Sequence, residues 1–239
     1  LRLAAISGGQ FDNVICSRCD AVVALPTGSG AAFTAFIREF DAALKNEYAV
    51  TDPGVTLTCA AAEAAKAVPA ERTATLVQAL AAMPQGVEAM DTDFPGLVQT
   101  SLNMGVVKLD GDGLHITFSI RSSIASRKLM LAQRVRAVAA LAGGTVAERG
   151  VYPGWQYKRE SKFRDTLLAA YKDLTGKDGV VEATHGGLEC GLLMEKIPGL
   201  DAVSMGPELH DVHSVRERLN VPSTERTYEL VCELLRRSC

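Results

Sequence analysis

The stretch GVVKLDGDGLHITFSIRSS, from Gly105 to Ser123, constrains the fold more than any other. Two runs rich in β-branched and aromatic residues flank Asp110-Gly111-Asp112-Gly113, a pattern that predicts a β-hairpin. A helix is predicted immediately afterwards, from Ser126 to Ala142. Ser122, Ser123 or Ser126 is available as its cap, and Gly143-Gly144 as its stop. A hairpin feeding a helix calls for a sheet with helices packed on it.

The flanking segments extend that pattern. LRLAAISGG and NVICSRCDAVVALP read as two strands separated by a Gly8-Gly9 turn. Phe33, Phe36, Ile37, Phe40 and Leu44 form a helical stripe between Thr27 and Tyr48, with Thr27 or Ser29 as cap. VTLTCAA reads as a short strand, and Pro69 to Ala82 as a helix with proline in its first turn, ending near Pro84. TVAERG returns as a strand. The expectation for this part is an α+β arrangement, a sheet with helices on one face.

Tyr152-Pro153-Gly154-Trp155 punctuates the chain, and the pattern then changes. A helix from Ser161 to Leu174 is followed by VVEATHGG and LDAVSMG, which read as buried parallel strands, and then by a closing helix from Pro222 to Arg237. This is α/β grammar, but two strands are too few for a stable doubly wound sheet. The tail calls for partner strands that the chain does not supply.

With 239 residues there is room for one large domain or two modest ones. The hydrophobic share of 47% and charged share of 22% are those of an ordinary globular protein. A net charge of -3 and a pI near 5.9 give no sign of a nucleic-acid partner. No window approaches the roughly 18 apolar residues of a membrane span. The opening LRLAAISGGQFDN lacks the charged, apolar, small-residue order of a signal peptide. Six scattered cysteines suit reduced thiols in a cytoplasm. The first residue is Leu1 and Leu1-Arg2-Leu3 already reads as mid-strand, so the chain is expected to be a piece of something longer.

Several stretches could carry chemistry. GPELHDVHSVRER places His210 and His213 beside Asp211, Glu208 and Glu217. On spacing alone these read as polar loop residues, because no known ligand pattern is completed and a catalytic zinc needs about three protein ligands. Cys16-x-x-Cys19 has no second pair and reads as two strand thiols. Asp110-Gly111-Asp112-Gly113 lacks the third acidic position and closing glutamate of a calcium loop, and reads as a hairpin turn.

Taken together, TSLNMGVV, RSSIAS, YPGW, THGGLECG and GPELHDVHSVRERLNVPS occur in an order that resembles the C-terminal half of the Xaa-His dipeptidases. These aminoacyl-histidine, or carnosinase-like, dipeptidases belong to the clan of co-catalytic zinc peptidases that includes aminoacylase and the glutamate carboxypeptidases. The resemblance is dense from about Thr100 to Tyr228, thinner over Leu1 to Pro26, and slight from Val50 to Pro95. It implies an α/β two-domain metallopeptidase fragment. Residues 1–150 would be an α+β lid, and residues 151–239 the C-terminal βα part of the catalytic domain. The family's His-x-Asp motif, bridging Asp, Glu-Glu pair and further Asp have no counterpart here, so no catalytic residue is expected in this chain.

The resemblance implies a role for only a few positions. His213, in the His-Ser after Gly206-Pro207, matches the family's last zinc ligand, one corner of a two-metal site. His210 does not match and reads as a loop residue or a support to the site. Arg121 matches the lid position that binds the substrate's C-terminal carboxylate, which a guanidinium meets with two parallel hydrogen bonds. Asn13 matches an amide that holds substrate near the reacting carbonyl, although Cys16-Ser17-Arg18-Cys19 departs from the family's Pro-Arg-Glu continuation. Gly186 and Gly187 sit where the family's backbone approaches substrate, an approach a β-carbon would block. His185 and Glu189 flank this loop and read as loop-shaping groups or supports to the site rather than as a metal pair of their own.

The expectation is therefore a cytoplasmic dipeptidase of the Xaa-His type, acting on short peptides through a metal-activated water. Its cofactor would be two zinc ions per complete site, with manganese or cobalt as alternatives. Its partners would be a dipeptide and, through the lid, a second copy of the chain, with neither nucleic acid nor membrane. The fragment alone would be inactive. The rivals are a non-catalytic dimerisation or binding module and a deacylase of N-acyl amino acids.

Overall fold

The computed structural model describes residues 1–63, 66–110, 113–212 and 214–238. Two antiparallel strands open the chain: β1 (Arg2–Gly8) and β2 (Cys19–Ala24), in register from Arg2 opposite Ala24 to Gly8 opposite Cys19. A shift in that register falls between Leu3 and Ala5. The helices α1 (Gly30–Glu47) and α2 (Ala70–Ala82) follow, then β3 (Gly86–Met90). The predicted hairpin is β4 (Val98–Asp110) and β5 (Gly113–Ser122); its tip, residues 111–112, lies outside the described residues. The chain continues through α3 (Ala125–Leu141), α4 (Lys162–Thr175), α5 (Glu189–Lys196), the short pair β6 (Leu209–His210) and β7 (Arg218–Leu219), and α6 (Val221–Ser238). The five-stranded sheet runs β2-β1-β4-β3, and β5 also pairs with β4. The fold is mixed α/β, as the sequence implies.

The chain forms two compact units. The first comprises Leu1–Gly86, Leu102–Ser119 and Ala132–Val146; the second comprises Val87–Ser101, Ile120–Leu131 and Ala147–Cys239. In the first unit, Leu3, Leu76 and Leu109 form a buried cluster joined by Ile6, Val23, Val68 and Leu114. Each such side chain contributes about 1.5–3 kcal/mol when fully removed from water. Leu3 also ties β1 to the start of α2, its amide donating to the Thr73 hydroxyl (3.1 Å) and its carbonyl accepting from Val68 N–H (2.8 Å).

The core of the second unit is Leu167, Ala170 and Leu234, where α4 meets α6, with Val203 and Leu230 against it. The Ser161 hydroxyl caps α4 by accepting from Arg164 N–H (3.0 Å) and donates to Asp201 (2.8 Å). Gly176, at φ 71, ends the helix in a left-handed conformation that costs glycine little.

Four predicted strands are not strands. VTLTCAA carries no ladder: Leu57 N–H donates instead to the Asp41 carboxylate on α1 (2.7 Å), whose pKa is lowered chiefly by that bond. TVAERG is exposed throughout, so its β-forming residues have no surface to pack on. VVEATHGG and LDAVSMG are likewise unpaired among the described residues. Val180, in a run read as buried, is 83% exposed. An extended segment becomes a strand only when a neighbour accepts its hydrogen bonds.

Candidate functional site

In the second unit the ends of β4 and β5 are locked together. Thr100 and Ser122 are buried, their hydroxyl oxygens 2.8 Å apart, and Ser123 N–H donates to the Gln99 carbonyl (3.3 Å). The Ser122 Oγ also accepts from Ile124 N–H (3.0 Å), shaping the turn into α3. With Thr100 opposite Ser122, the next antiparallel pair is Ser101 and Arg121. Side chains alternate along a strand, so this pair shares the opposite face. Arg121 is exposed.

The THGGLECG loop closes on this face. His185 Nε2 lies 2.8 Å from the Ser101 Oγ. Burial holds the imidazole below its usual pKa, the Arg121 guanidinium adds to the effect, and a hydrogen bond with the Val98 backbone opposes it. Arg121, Ser101 and a neutral His185 thus form one polar cluster.

YPGW belongs to the same unit. A β-carbon on Gly154 would lie 2.5 Å from the Ser122 carbonyl and 2.6 Å from that of Ser123, so the chain runs flat against the end of β5. The Tyr152 carbonyl accepts a hydrogen bond from the Lys128 ammonium on α3. The Tyr152 ring lies under Gly187, where a β-carbon would sit 2.7 Å from Cε1. Gly187 therefore has a packing reason to be glycine, which sequence reasoning missed. Gly186 N–H turns back to the Thr184 hydroxyl (3.2 Å). The sequence left Glu189 in a loop; it is the first residue of α5.

A polar cleft of about 390 Å³ in this unit is lined by Asp91, Gln99, Tyr157 and Arg159 among others. Its Arg159 is paired to Asp93 (2.8 Å), and the Asp91 carboxylate accepts from the backbone of Asp93 and Phe94.

The histidine segment lies in the second unit as well. His210 is exposed in β6, and Asp211 turns the chain at φ 53. The Asp211 carboxylate is bonded to Arg218 (3.0 Å), and Glu208 accepts from Asn220 (2.9 Å) and Arg226 (3.4 Å). Asp211 and Glu208 are thus committed to cations and amides. His213 lies outside the described residues. Among the described residues no three His, Cys, Asp or Glu side chains converge on a point. The described residues of this segment do not form a metal site by themselves, and no reaction step follows from a metal held by them alone.

Asn13 lies in the first unit, on the exposed loop between β1 and β2. Asn103 Nδ2 donates to the carbonyls of the residues before and after it, Asp12 (2.7 Å) and Val14 (2.9 Å). A β-carbon on Gly105 would lie 2.4 Å from the Phe11 carbonyl oxygen, and one on Gly9 1.7 Å from the Gly105 oxygen. Just past the loop, Cys19 at the start of β2 is held above the usual thiol pKa, chiefly by desolvation and then by Cys16 and Asp20. That is the reverse of a reactive dithiol.

No family model matches the chain. It is 31% identical over 237 residues to the cytosol non-specific dipeptidase of Escherichia coli (strain K12), an alignment covering 99% of this chain and 49% of that protein. The crystal structure of an aminoacylhistidine dipeptidase from Vibrio alginolyticus superposes with a TM-score of 0.89 at 29% identity, over 99% of this chain and 48% of that one. The chain is homologous to these two dipeptidases. It spans about half the length of the relatives it matches. Homology to the Xaa-His dipeptidases also covers residues 50–95, where the sequence alone shows little resemblance.

Proposed function

We propose that this chain is the lid (residues 1–150) and the C-terminal catalytic segment (residues 151–239) of an Xaa-His type dipeptidase acting in the cytoplasm. Its own contribution is recognition. Arg121 grips the free carboxylate of a dipeptide, with His185 and Ser101 beside it, while Asn13 supports the reacting carbonyl and Gly187 lies along the substrate backbone. The observation that carries this reading is the Arg121–Ser101–His185 cluster in a chain homologous to dipeptidases. A guanidinium on an exposed strand end beside a neutral imidazole is suited to an anion. A peptide with a blocked C-terminus would leave that guanidinium without its partner.

On this reading His213 would be one ligand of a zinc pair whose other ligands lie outside this chain, and the chemistry such a pair would supply is activation of a water. The protein works as a homodimer joined through the lid. No helix of the described residues is long and apolar enough to cross a membrane.

The test is hydrolysis of a dipeptide and of its C-terminal amide by the whole enzyme and its Arg121→Ala variant. The expected result is a rise in KM for the free dipeptide of about 10- to 100-fold, as for loss of a charged hydrogen-bonded pair, with little change for the amide. Equal losses on both substrates would remove the carboxylate assignment. The 239-residue chain alone, given zinc and dipeptide, should not exceed a metal-only blank. Turnover by the chain alone would overturn the division of labour.

A further inference from the structure

We propose that Asn103 is a positioning residue that presents Asn13 to the substrate, an inference that rests on the substrate-binding reading of Asn13 above. Both hydrogens of one side-chain amide are used, one on the carbonyl of Asp12, the residue before Asn13, and one on that of Val14, the residue after it. The orientation of that amide is unambiguous, because two carbonyl acceptors demand the NH2 end and an oxygen there would face two oxygens. Asp12, Asn13 and Val14 are all exposed, so water could satisfy the same carbonyls. What water cannot do is hold the carbonyls of the two residues next to Asn13, Asp12 and Val14, at a fixed separation.

The backbone around the clamp agrees with this role. Gly105, two residues along β4 from Asn103, lies so close to the loop that a β-carbon would strike the backbone of Phe11 and Asp12. On the loop side, Gly9 meets the Gly105 carbonyl more tightly still. The loop is thus pressed onto β4 beside the amide that grips it. The result is an exposed asparagine on a backbone held at the residues before and after it, as a donor to a developing charge requires.

The experiment compares the whole enzyme with its Asn13→Ala, Asn103→Ala and Asn13→Ala/Asn103→Ala variants on one dipeptide. Asn103→Ala should lower kcat by about 10- to 100-fold, the scale of a displaced catalytic donor, with KM changed by less than about threefold. In the Asn13→Ala background the same substitution should change kcat by less than about twofold, because the residue it positions is gone. Asn103→Asp, equal in shape but presenting oxygens to the two carbonyls, should be at least as slow as Asn103→Ala. Should that variant fail to fold, Asn103→Ser supplies the intermediate case.

A full-rate Asn103→Ala enzyme beside a slowed Asn13→Ala enzyme would overturn the clamp alone. So would losses that multiply in the double variant. An unaffected Asn13→Ala enzyme would overturn the inference together with the reading of Asn13, and it leaves the Arg121 test untouched.

Discussion

Replacing Gly187 by alanine distinguishes two reasons for a glycine in the THGGLECG loop. If the residue is small only so that a substrate can approach the backbone, the variant should be as stable as the parent when no substrate is present. The structure gives a different expectation. The added β-carbon would lie 2.7 Å from Cε1 and 2.8 Å from Cδ1 of Tyr152, where ordinary contact begins at 3.4 Å. Gly187 is not at positive φ, so alanine brings no backbone strain and the ring is the obstacle. The ring must move by roughly 0.7 Å, yet its own backbone carbonyl is held by Lys128. Overpacking of this kind costs about 1–3 kcal/mol. Urea unfolding followed by the single tryptophan, Trp155, three residues from Tyr152, reads the change locally. Gly187→Ala should lower the midpoint with an unchanged slope. In a Tyr152→Ala background the same substitution should cost less than about 0.5 kcal/mol, because nothing remains to strike. Equal losses in both backgrounds would refute the steric argument.

Other expectations follow from the same geometry. Asp201 accepts from the Ser161 hydroxyl (2.8 Å) and Phe163 N–H (3.1 Å) at the start of α4, so Asp201→Ala should cost about 1–2 kcal/mol by urea unfolding. Burial is the largest influence on its pKa and pushes it up, but these hydrogen bonds and Lys158 together outweigh it and leave the carboxyl below 3.8. The stability it contributes is therefore present above pH 3.8 and lost as pH falls through the lower folded value, so an acid titration by circular dichroism should show a shallower loss there for Asp201→Asn. His185 should titrate below 6.5 by NMR, and Arg121→Ala should move its midpoint upward, because a cation that disfavours the imidazolium has been removed. A downward movement would contradict the cluster. Gly176→Ala, at φ 71, should destabilise α4 by about 1–2 kcal/mol in the same unfolding assay.

The helices were legible because their ends are written locally. Ser161 and Gly176 bracket α4, Gly143 and Gly144 stop α3, and Pro69 stands at the start of α2, each within a residue or two of the expected limit. The hairpin was legible for the same reason. Strands elsewhere were less so, since a strand depends on a partner whose position no local pattern encodes. GVEAM was passed over although it joins the sheet as β3, whereas TVAERG and VTLTCAA have β-forming residues and no ladder. ECGLLMEK forms α5 although the sequence assigns it no element, because its eight residues are too few for a clear apolar stripe.

The site was legible only where a residue's chemistry announces itself. Arg121 stands out as a guanidinium at a strand end, but Ser101 and Asn103 in TSLN look like ordinary strand polars until the pairing of Thr100 with Ser122 is known. Ser101 then falls beside His185 within one unit, and Asn103 holds the Asn13 loop within the other. The same logic bears on VVEATHGG and LDAVSMG. Both carry the composition of buried strands, and both are unpaired among the described residues, with Val180 largely in water. Composition records the environment a segment is suited to. Under the proposed reading these runs await the strands of the remaining catalytic domain, and the loop bearing His185 and Gly187 directly continues the first of them. Closing that sheet would fix the His185 loop from its other end, so Arg121's neighbours should be most rigid in the whole enzyme and less so in this chain alone.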